Sequence, residues 1–409
     1  MDDSLKKSLA EHIINKFDFS RDISDDEILM SIEDAVLNYG NENYISIDEK
    51  NELTSEIFNS VRRLGPLQKL IDDPLVNEIM VNGPDDIFWE RDGKLSRAPI
   101  SLESEEQLEN IIQQIVAEVN RSVNEATPIV DARLLDGSRV NVVLPPIALN
   151  GAVVTIRKFP KEPMSIKRLL SYGTLDEETC EFLKIIMESG CNIIVSGGTS
   201  SGKTSFLNAL SEYIPKKQRV IVMEDSAELQ LTGIPNLVRL ETRNANLEGM
   251  GEIGIADLIK SSLRMRPDRI IVGEVRDGAA VVNLLNAFNT GHYGESTIHS
   301  NSAEDTISRL ETLLLTGADG MPLAAAERQI ASAIDFIVYL GRLPDGRRKL
   351  LEISEIEGVK NDGIEMRKIY EYSDCEERLV KRNAPKRCLP KVERAGFDLS
   401  GLFDLQKEQ

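Results

Sequence analysis

Residues 197–204 read GGTSSGKT and follow the apolar run NIIVS at 192–196. Chance places a GxxxxGK[ST] match somewhere in a chain of this length roughly once in a hundred. This one lies between a strand-like run and the helical pattern SFLNALSEYI at 205–214, the context in which such a loop grips phosphate. Gly197, Gly198 and Gly202 let successive backbone N–H groups wrap β- and γ-phosphates, and the following helix adds its N-terminal dipole. Thr199, Ser200, Ser201 and Ser205 complete the cradle. Lys203 is placed to meet γ-phosphate charge, and Thr204 to offer a hydroxyl to Mg²⁺. The bland alternative is a helix-starting turn with an exposed lysine.

Hydrolysis needs more than a phosphate grip, because a carboxylate must orient or deprotonate water. RVIVMEDSAEL puts Glu224 and Asp225 directly after an apolar strand, with Glu228 one turn on, and RIIVGEVRD does the same for Glu274, followed by Arg276 and Asp277. Either cluster alone reads as a helix cap or turn. Two of them at strand ends in one sheet favour chemistry, since ligands of parallel sheets sit at the carboxyl edge. Both Glu274 and Glu224 are candidates for the base, with Arg276 beside the first. Gly273 stands where a metal-holding strand ordinarily carries Asp. Mg²⁺ must then rely on Thr204, phosphates and water, with Glu224 and Glu274 acting through water.

Two of the three histidines, His292 and His299, fall in TGHYGESTIHSNSA. One ring could sense the γ-phosphate while the other couples to the next element; simple packing is the alternative. They do not have metal-pair spacing.

The elements that must position these groups are legible as patterns. Beyond FPKEPMSI (159–166), a proline-bearing linker, strand-like runs at 192–196, 219–223, 269–273, 296–299 and 335–340 alternate with helical ones, which implies a parallel sheet covered on both faces. Residues 65–160 read as a compact α+β domain. In it, Leu108, Ile111, Ile112, Ile115, Val116 and Val119 line one face of a helix, and DG and NG turns separate strands. Residues 1–60 carry 15 acidic and 5 basic side chains and read as a solvated helical module, with a loop over 38–52. The net charge of −20 argues against general nucleic-acid or anionic-membrane binding. No apolar run approaches 18 residues, the N-terminus lacks a signal-peptide core, and the four cysteines lack metal-pair spacing and read as reduced thiols of a cytosolic protein.

In order, GGTSSGKT, MEDSAEL, RMRPDRIIVGEVRD and TGHYGESTIHSNSA closely resemble the type II/type IV secretion ATPases. The upstream NEIMVNGPDDIFWERDGKL, DARLLDGSRVNVVLPP and LNGAVVTIRKF are similar to the CpaF/TadA branch that drives Flp (Tad) pilus assembly. The likeness covers roughly residues 60–360. It implies a RecA-like P-loop ATPase domain (161–372) with a parallel sheet, preceded by an α+β, PAS-like domain (63–160) and an acidic helical extension (1–62), with a tail at 373–409. It further implies an ATP- and Mg²⁺-dependent homo-hexamer at the cytoplasmic face of the inner membrane, acting on polytopic platform proteins and not on nucleic acid. In such a ring, arginines of the N-terminal domain of the same or a neighbouring subunit approach the phosphates; Arg133, Arg139 and Arg157 match by position. A nucleotide-binding scaffold and a DNA-transfer motor of related fold are the rival readings. The tail is basic in its middle and reads as a docking arm or a mobile end.

Overall fold

The computed structural model describes residues 3–17, 23–91, 94–118, 123–159, 162–243, 250–360 and 363–403. The chain divides into two compact units, Met1–Lys161 and Glu162–Gln409. The division falls within the proline-bearing stretch at 159–166, of which residues 160 and 161 lie outside the described residues.

The first unit opens with helices α1 (Asp3–Lys16), α2 (Asp25–Glu42) and α3 (Ile47–Arg62), which enclose Ile13, Ile28, Ile32, Val36, Leu53 and Ile57. The stretch 38–52, expected as a loop, is mostly helix. Asn43 N donates to Tyr39 O to close α2, and Ser46 and Glu49 cap each other reciprocally to start α3, leaving only residues 43–46 between them. After α4 (Leu67–Asp72) come β1 (Val76–Val81), β2 (Ile87–Arg91), β3 (Lys94–Arg97), α5 (Glu105–Glu118), β4 (Ile129–Arg133), β5 (Arg139–Val143) and β6 (Val153–Arg157). The strands form one antiparallel sheet in the order β3-β2-β1-β6-β5-β4. From α5, Leu108, Ile111, Ile112, Ile115 and Val116 enter the same core, as their spacing predicts; Val119 lies outside the described residues.

The second unit is built on a nine-stranded sheet. Its elements are α6 (Ile166–Ser171), α7 (Glu177–Glu188), β7 (Ile193–Gly197), α8 (Lys203–Leu210), β8 (Arg219–Glu224), β9 (Asn236–Glu241), α9 (Ile255–Ser262), β10 (Arg269–Val272), α10 (Gly278–Asn289), β11 (Tyr293–His299), α11 (Ala303–Gly317), α12 (Leu323–Ala333), β12 (Phe336–Arg342), β13 (Arg348–Lys360), β14 (Gly363–Ser373), β15 (Arg378–Lys381) and α13 (Leu389–Arg394). The order is β15-β14-β13-β12-β7-β11-β10-β8-β9. From β12 to β9 the neighbours run parallel; β13, β14 and β15 add an antiparallel meander. Strands β7 and β10 are buried at every position, which explains why their sequences are continuous apolar runs rather than alternating ones. Two cores result, one on each side of the sheet: Phe182, Ile186, Phe206 and Leu210 on one, Val281, Leu284, Ile307 and Ile330 on the other. Helices α10 and α11 meet at Gly278 and Gly317 so closely that a Cβ on either would run into the other's main chain.

The segment after Ser373 is neither a free arm nor a mobile end as far as residue 403. Leu379, Cys388, Val392, Leu399 and Phe403 are buried in the same core as β7. Glu355, itself fully buried, accepts from Lys386 N and Cys388 N at 2.7 Å each, and Lys391 Nζ donates to Asp335 Oδ2 at 2.7 Å. Cys180, Cys191 and Cys388 are buried free thiols and Cys375 an exposed one.

Candidate functional site

Strand β7 ends in the loop 197–204, and α8 begins at Lys203. A Cβ on Gly197 would collide with Leu340 O of β12 and approach Ser201 Oγ to 2.6 Å, so the loop passes a strand edge only glycine can pass. Gly202 has φ +94°, the left-handed region that glycine adopts without steric cost, and it turns the chain into α8. Ser200, with φ +58°, takes the same region at the loop's tip.

Lys203 is buried, and its Nζ donates to Gly197 O and Gly198 O at 3.0 Å each. Burial lowers its pKa, which Glu274 opposes. The same Nζ is 3.1 Å from His299 Nδ1. Lysine can only donate, so Nδ1 accepts and the ring proton belongs on Nε2. That nitrogen lies 2.9 Å from Glu274 Oε1. Burial depresses the His299 pKa, again against the pull of Glu274, and keeps the ring neutral. Arg276 Nη2 donates to Glu274 Oε2 at 2.7 Å, and Arg276 Nη1 is 3.8 Å from Asp225 Oδ2. Oε1 of Glu274 is buried and, though close to His299, has no directed hydrogen bond. The result is a row, Lys203, His299, Glu274, Arg276, Asp225, that crosses the carboxyl ends of β7, β11, β10 and β8 in their order in the sheet.

Glu224 is placed differently. It ends β8, is nearly inaccessible, and its Oε1 accepts from Glu228 N and Leu229 N at 2.9 Å each. Arg239 Nη2 stands 3.9 Å from Oε2. Burial raises its pKa, and the two N–H donors oppose that rise. A Cβ on Gly273 would sit 3.0 Å from Glu224 Cγ. Glycine occupies the position of the usual Asp because the Glu224 stem fills the space beside it. Thr297 Oγ1 donates to Gly273 O at 2.7 Å and Val275 N to Thr297 O at 3.0 Å, which fixes the turn carrying Glu274. Asp277 caps α10 through Ala280 N.

His292 does not join this row. It precedes β11 while His299 ends it, and seven residues of strand separate the two by about 20 Å. The His292 ring lies 3.1 Å from Ala287 O and 3.2 Å from Thr290 Oγ1, against the end of α10. The structure does not bring His292 to the row; the spacing between the two histidines is the length of a strand.

Arg133, Arg139 and Arg157 belong to the first unit. They are brought together with one another: Arg133 pairs with Arg139 across β4 and β5, and Arg139 with Arg157 across β5 and β6. Directly opposed residues project from the same face, so the three form a cationic rung.

With this geometry in view, the comparison with known proteins is decisive. Residues 60–391 match the family described as Type II/IV secretion system protein. The chain belongs to that family. Among family relatives, the conjugal transfer protein TrbB of Rhizobium radiobacter is 35% identical over 297 residues, covering 71% of this chain and 87% of that protein. The type IV secretion system protein VirB11 of Brucella suis biovar 1 is 30% identical over 311 residues, covering 68% and 84%. The crystal structure of the pilus retraction motor PilT with bound ADP shares the RecA-like fold, with a TM-score of 0.53 at 20% identity over 81% of this chain and 86% of that one.

One further residue lies beside the loop after β7. Arg348, the first residue of β13, donates from Nε to Ser200 O at 3.0 Å, at the tip of the loop 197–204. Nothing in DGRRK marks it. Only the pairing of β12 with β7, Leu340 opposite Gly197, brings the β12–β13 hairpin beside the loop.

Proposed function

We propose that this family member is an ATP-driven motor of the CpaF/TadA type, working in Flp (Tad) pilus assembly or a closely related secretion machine. The observation that carries the reading is the row from Lys203 to Asp225. It joins a phosphate loop, a neutral imidazole and a carboxylate oxygen without a directed donor at the carboxyl edge of one parallel sheet.

On ATP binding, Lys203 exchanges the carbonyls of Gly197 and Gly198 for phosphate oxygens, while amides of residues 198–204 wrap the β- and γ-phosphates. The described residues hold no cluster of three or more His, Cys, Asp or Glu suited to a metal. Mg²⁺ would enter with the nucleotide, where Thr204 would hold it directly and Glu274 and Glu224 through water, and it would supply charge neutralisation. Arg276 holds Oε2 of Glu274, so Oε1 is the oxygen left to take the proton of the attacking water. The water oxygen bonds to the γ-phosphorus, the bond to the β–γ bridging oxygen breaks, and ADP and phosphate leave. Neutral His299 links the Lys203 ammonium to Glu274 and so reports γ-phosphate contact to the base. The arginine rung at 133, 139 and 157 is the proposed source of further phosphate-binding cations.

No helix among the described residues is long and apolar enough to cross a membrane. The motor is proposed to act as a homo-hexamer held at the cytoplasmic face of the inner membrane by polytopic platform proteins. TrbB similarity makes conjugal transfer the second reading, against which the net charge of −20 weighs. Steady-state phosphate release by the purified protein is the test. Lys203→Ala is expected to abolish it, and Glu274→Gln to retain nucleotide binding while losing at least about a hundredfold in turnover. Normal turnover by either variant would end this assignment, and salt-sensitive binding of single-stranded DNA with stimulated turnover would favour the second reading.

A further inference from the structure

Helix α2 buries one side in the first bundle and, among the described residues, leaves the other exposed. Asp26, Met30, Glu33 and Leu37 follow one another at spacings of four, three and four, so they lie on one exposed strip of the helix. Met30 is 60% and Leu37 51% exposed, and Tyr44, a further seven residues along and just past the helix end, is 97% exposed. Scattered exposed hydrophobics are ordinary. Met30 and Leu37, one heptad apart on that strip, with Tyr44 exposed just beyond the helix end, are the kind of anchors a helix-in-groove contact uses. Along the sequence, Asp22 to Glu49 holds nine carboxylates and no lysine or arginine; Arg62 pairs with Asp25, Lys16 bonds Ser31 and Lys50 packs beside Gly40, while Asp26, Glu33 and Asp34 stay exposed next to Met30 and Leu37.

That combination selects the occupant. A second copy of the same face would oppose carboxylates to carboxylates, and an anionic membrane would be repelled. The chain's own basic segment is already committed: Arg387 donates to Ile356 O and Lys391 to Asp335. We propose that the α2 face docks an amphipathic helix rich in lysine and arginine, contributed by a cytoplasmic loop of the membrane platform. Such loops carry an excess of Lys and Arg by the rule that orients membrane proteins. Apolar residues of that helix cover Met30, Leu37 and Tyr44, and its cations meet Asp26, Glu33 and Asp34. The proposal rests on the motor reading only for the source of the segment, not for the surface.

The test uses the full chain and a fluorescein-labelled peptide about as long as α2, with leucines at spacings of three and four and lysines at the remaining positions. Anisotropy is read at about 0.15 M salt, where charge alone is screened beyond about 8 Å. Wild type is expected to bind at least about tenfold more tightly than Met30→Ser/Leu37→Ser, whose exposed changes leave the melting temperature in place. Glu33→Gln/Asp34→Asn is expected to bind more weakly and with less salt dependence. Lys203→Ala is expected to bind the peptide as wild type does, so that failure of the motor reading and failure of this one are separable. Equal binding by the Met30/Leu37 variant, or equal binding of a peptide with the same lysines and scrambled leucines, overturns the proposal. So does a change in sedimenting mass of the unliganded Met30/Leu37 variant, which would assign the face to a second copy, or binding of wild type to anionic vesicles.

Discussion

Glu274 and Glu224 share a residue type and a place at the end of a buried strand, yet their oxygens have different partners. Both backbone donors at Glu224 Oε1 are accepted equally well by an amide oxygen, so Glu224→Gln is expected to keep turnover within about tenfold of wild type. Glu274→Gln removes the carboxylate oxygen that Arg276 leaves open in the row; a reversed ranking in phosphate release would reassign the base. His299 offers a second test. Its folded pKa lies below the ordinary value of about 6.5. As pH falls through that lowered value, Nδ1 becomes a donor facing the Lys203 ammonium. Turnover is therefore expected to fall on the acid side, and that limb to be absent from the pH profile of His299→Gln. The residues of this row were legible in the sequence because phosphate and water chemistry restricts which types can serve. Arg348 and the partnership of Arg133, Arg139 and Arg157 were not, because they depend on strand register, which no local pattern states.

Elements explain why the same residues become a site. Continuous apolar runs in NIIVS and RIIVG betray strands buried on both faces, and the carboxyl edge of their sheet collects Gly197, Glu224, Glu274 and His299. Strand β9 and the meander β13 to β15 carry no such signal: NLVRLE is only partly covered, and RKLLEISEIEGVK buries Lys349, Glu352 and Glu355 among its apolar residues. What is lost with β13 is one wall of the loop 197–204, because the hairpin after β12 sets Arg348 against Ser200. Gly197→Ala is accordingly expected to lose nucleotide binding and about 2–3 kcal/mol of stability in urea unfolding, as the new methyl meets Leu340 O. Gly198→Ala, which meets nothing within 4 Å, is the matched control and is expected to unfold as wild type does.

At the scale of the whole molecule, the C-terminal segment changes the account most. Its basic composition suggested an appendage, whereas Cys388, Val392, Leu399 and Phe403 complete the main core. Burying four such side chains is worth about 6–10 kcal/mol as an upper figure, comparable with the entire stability of a domain. A chain ending at Arg382 is therefore expected to be insoluble or to melt far below the full protein in a thermal scan. Unchanged melting would return the segment to the status of an appendage. Composition was a poor guide here because a few apolar residues among many charges decide whether a tail is bound.

The contact between Gly278 and Gly317 carries a mechanical corollary. Helix α10 starts two residues after Arg276, so any shift of the Glu274 turn reaches its first residue almost undiminished. Ordinary helix pairs meet through a layer of side chains that can hop between rotamers and absorb such a shift. Here main chain abuts main chain, and no compliant layer intervenes. A shift of the Glu274 turn would thus pass to the far helix at this contact without backlash, as through meshed teeth rather than through a spring.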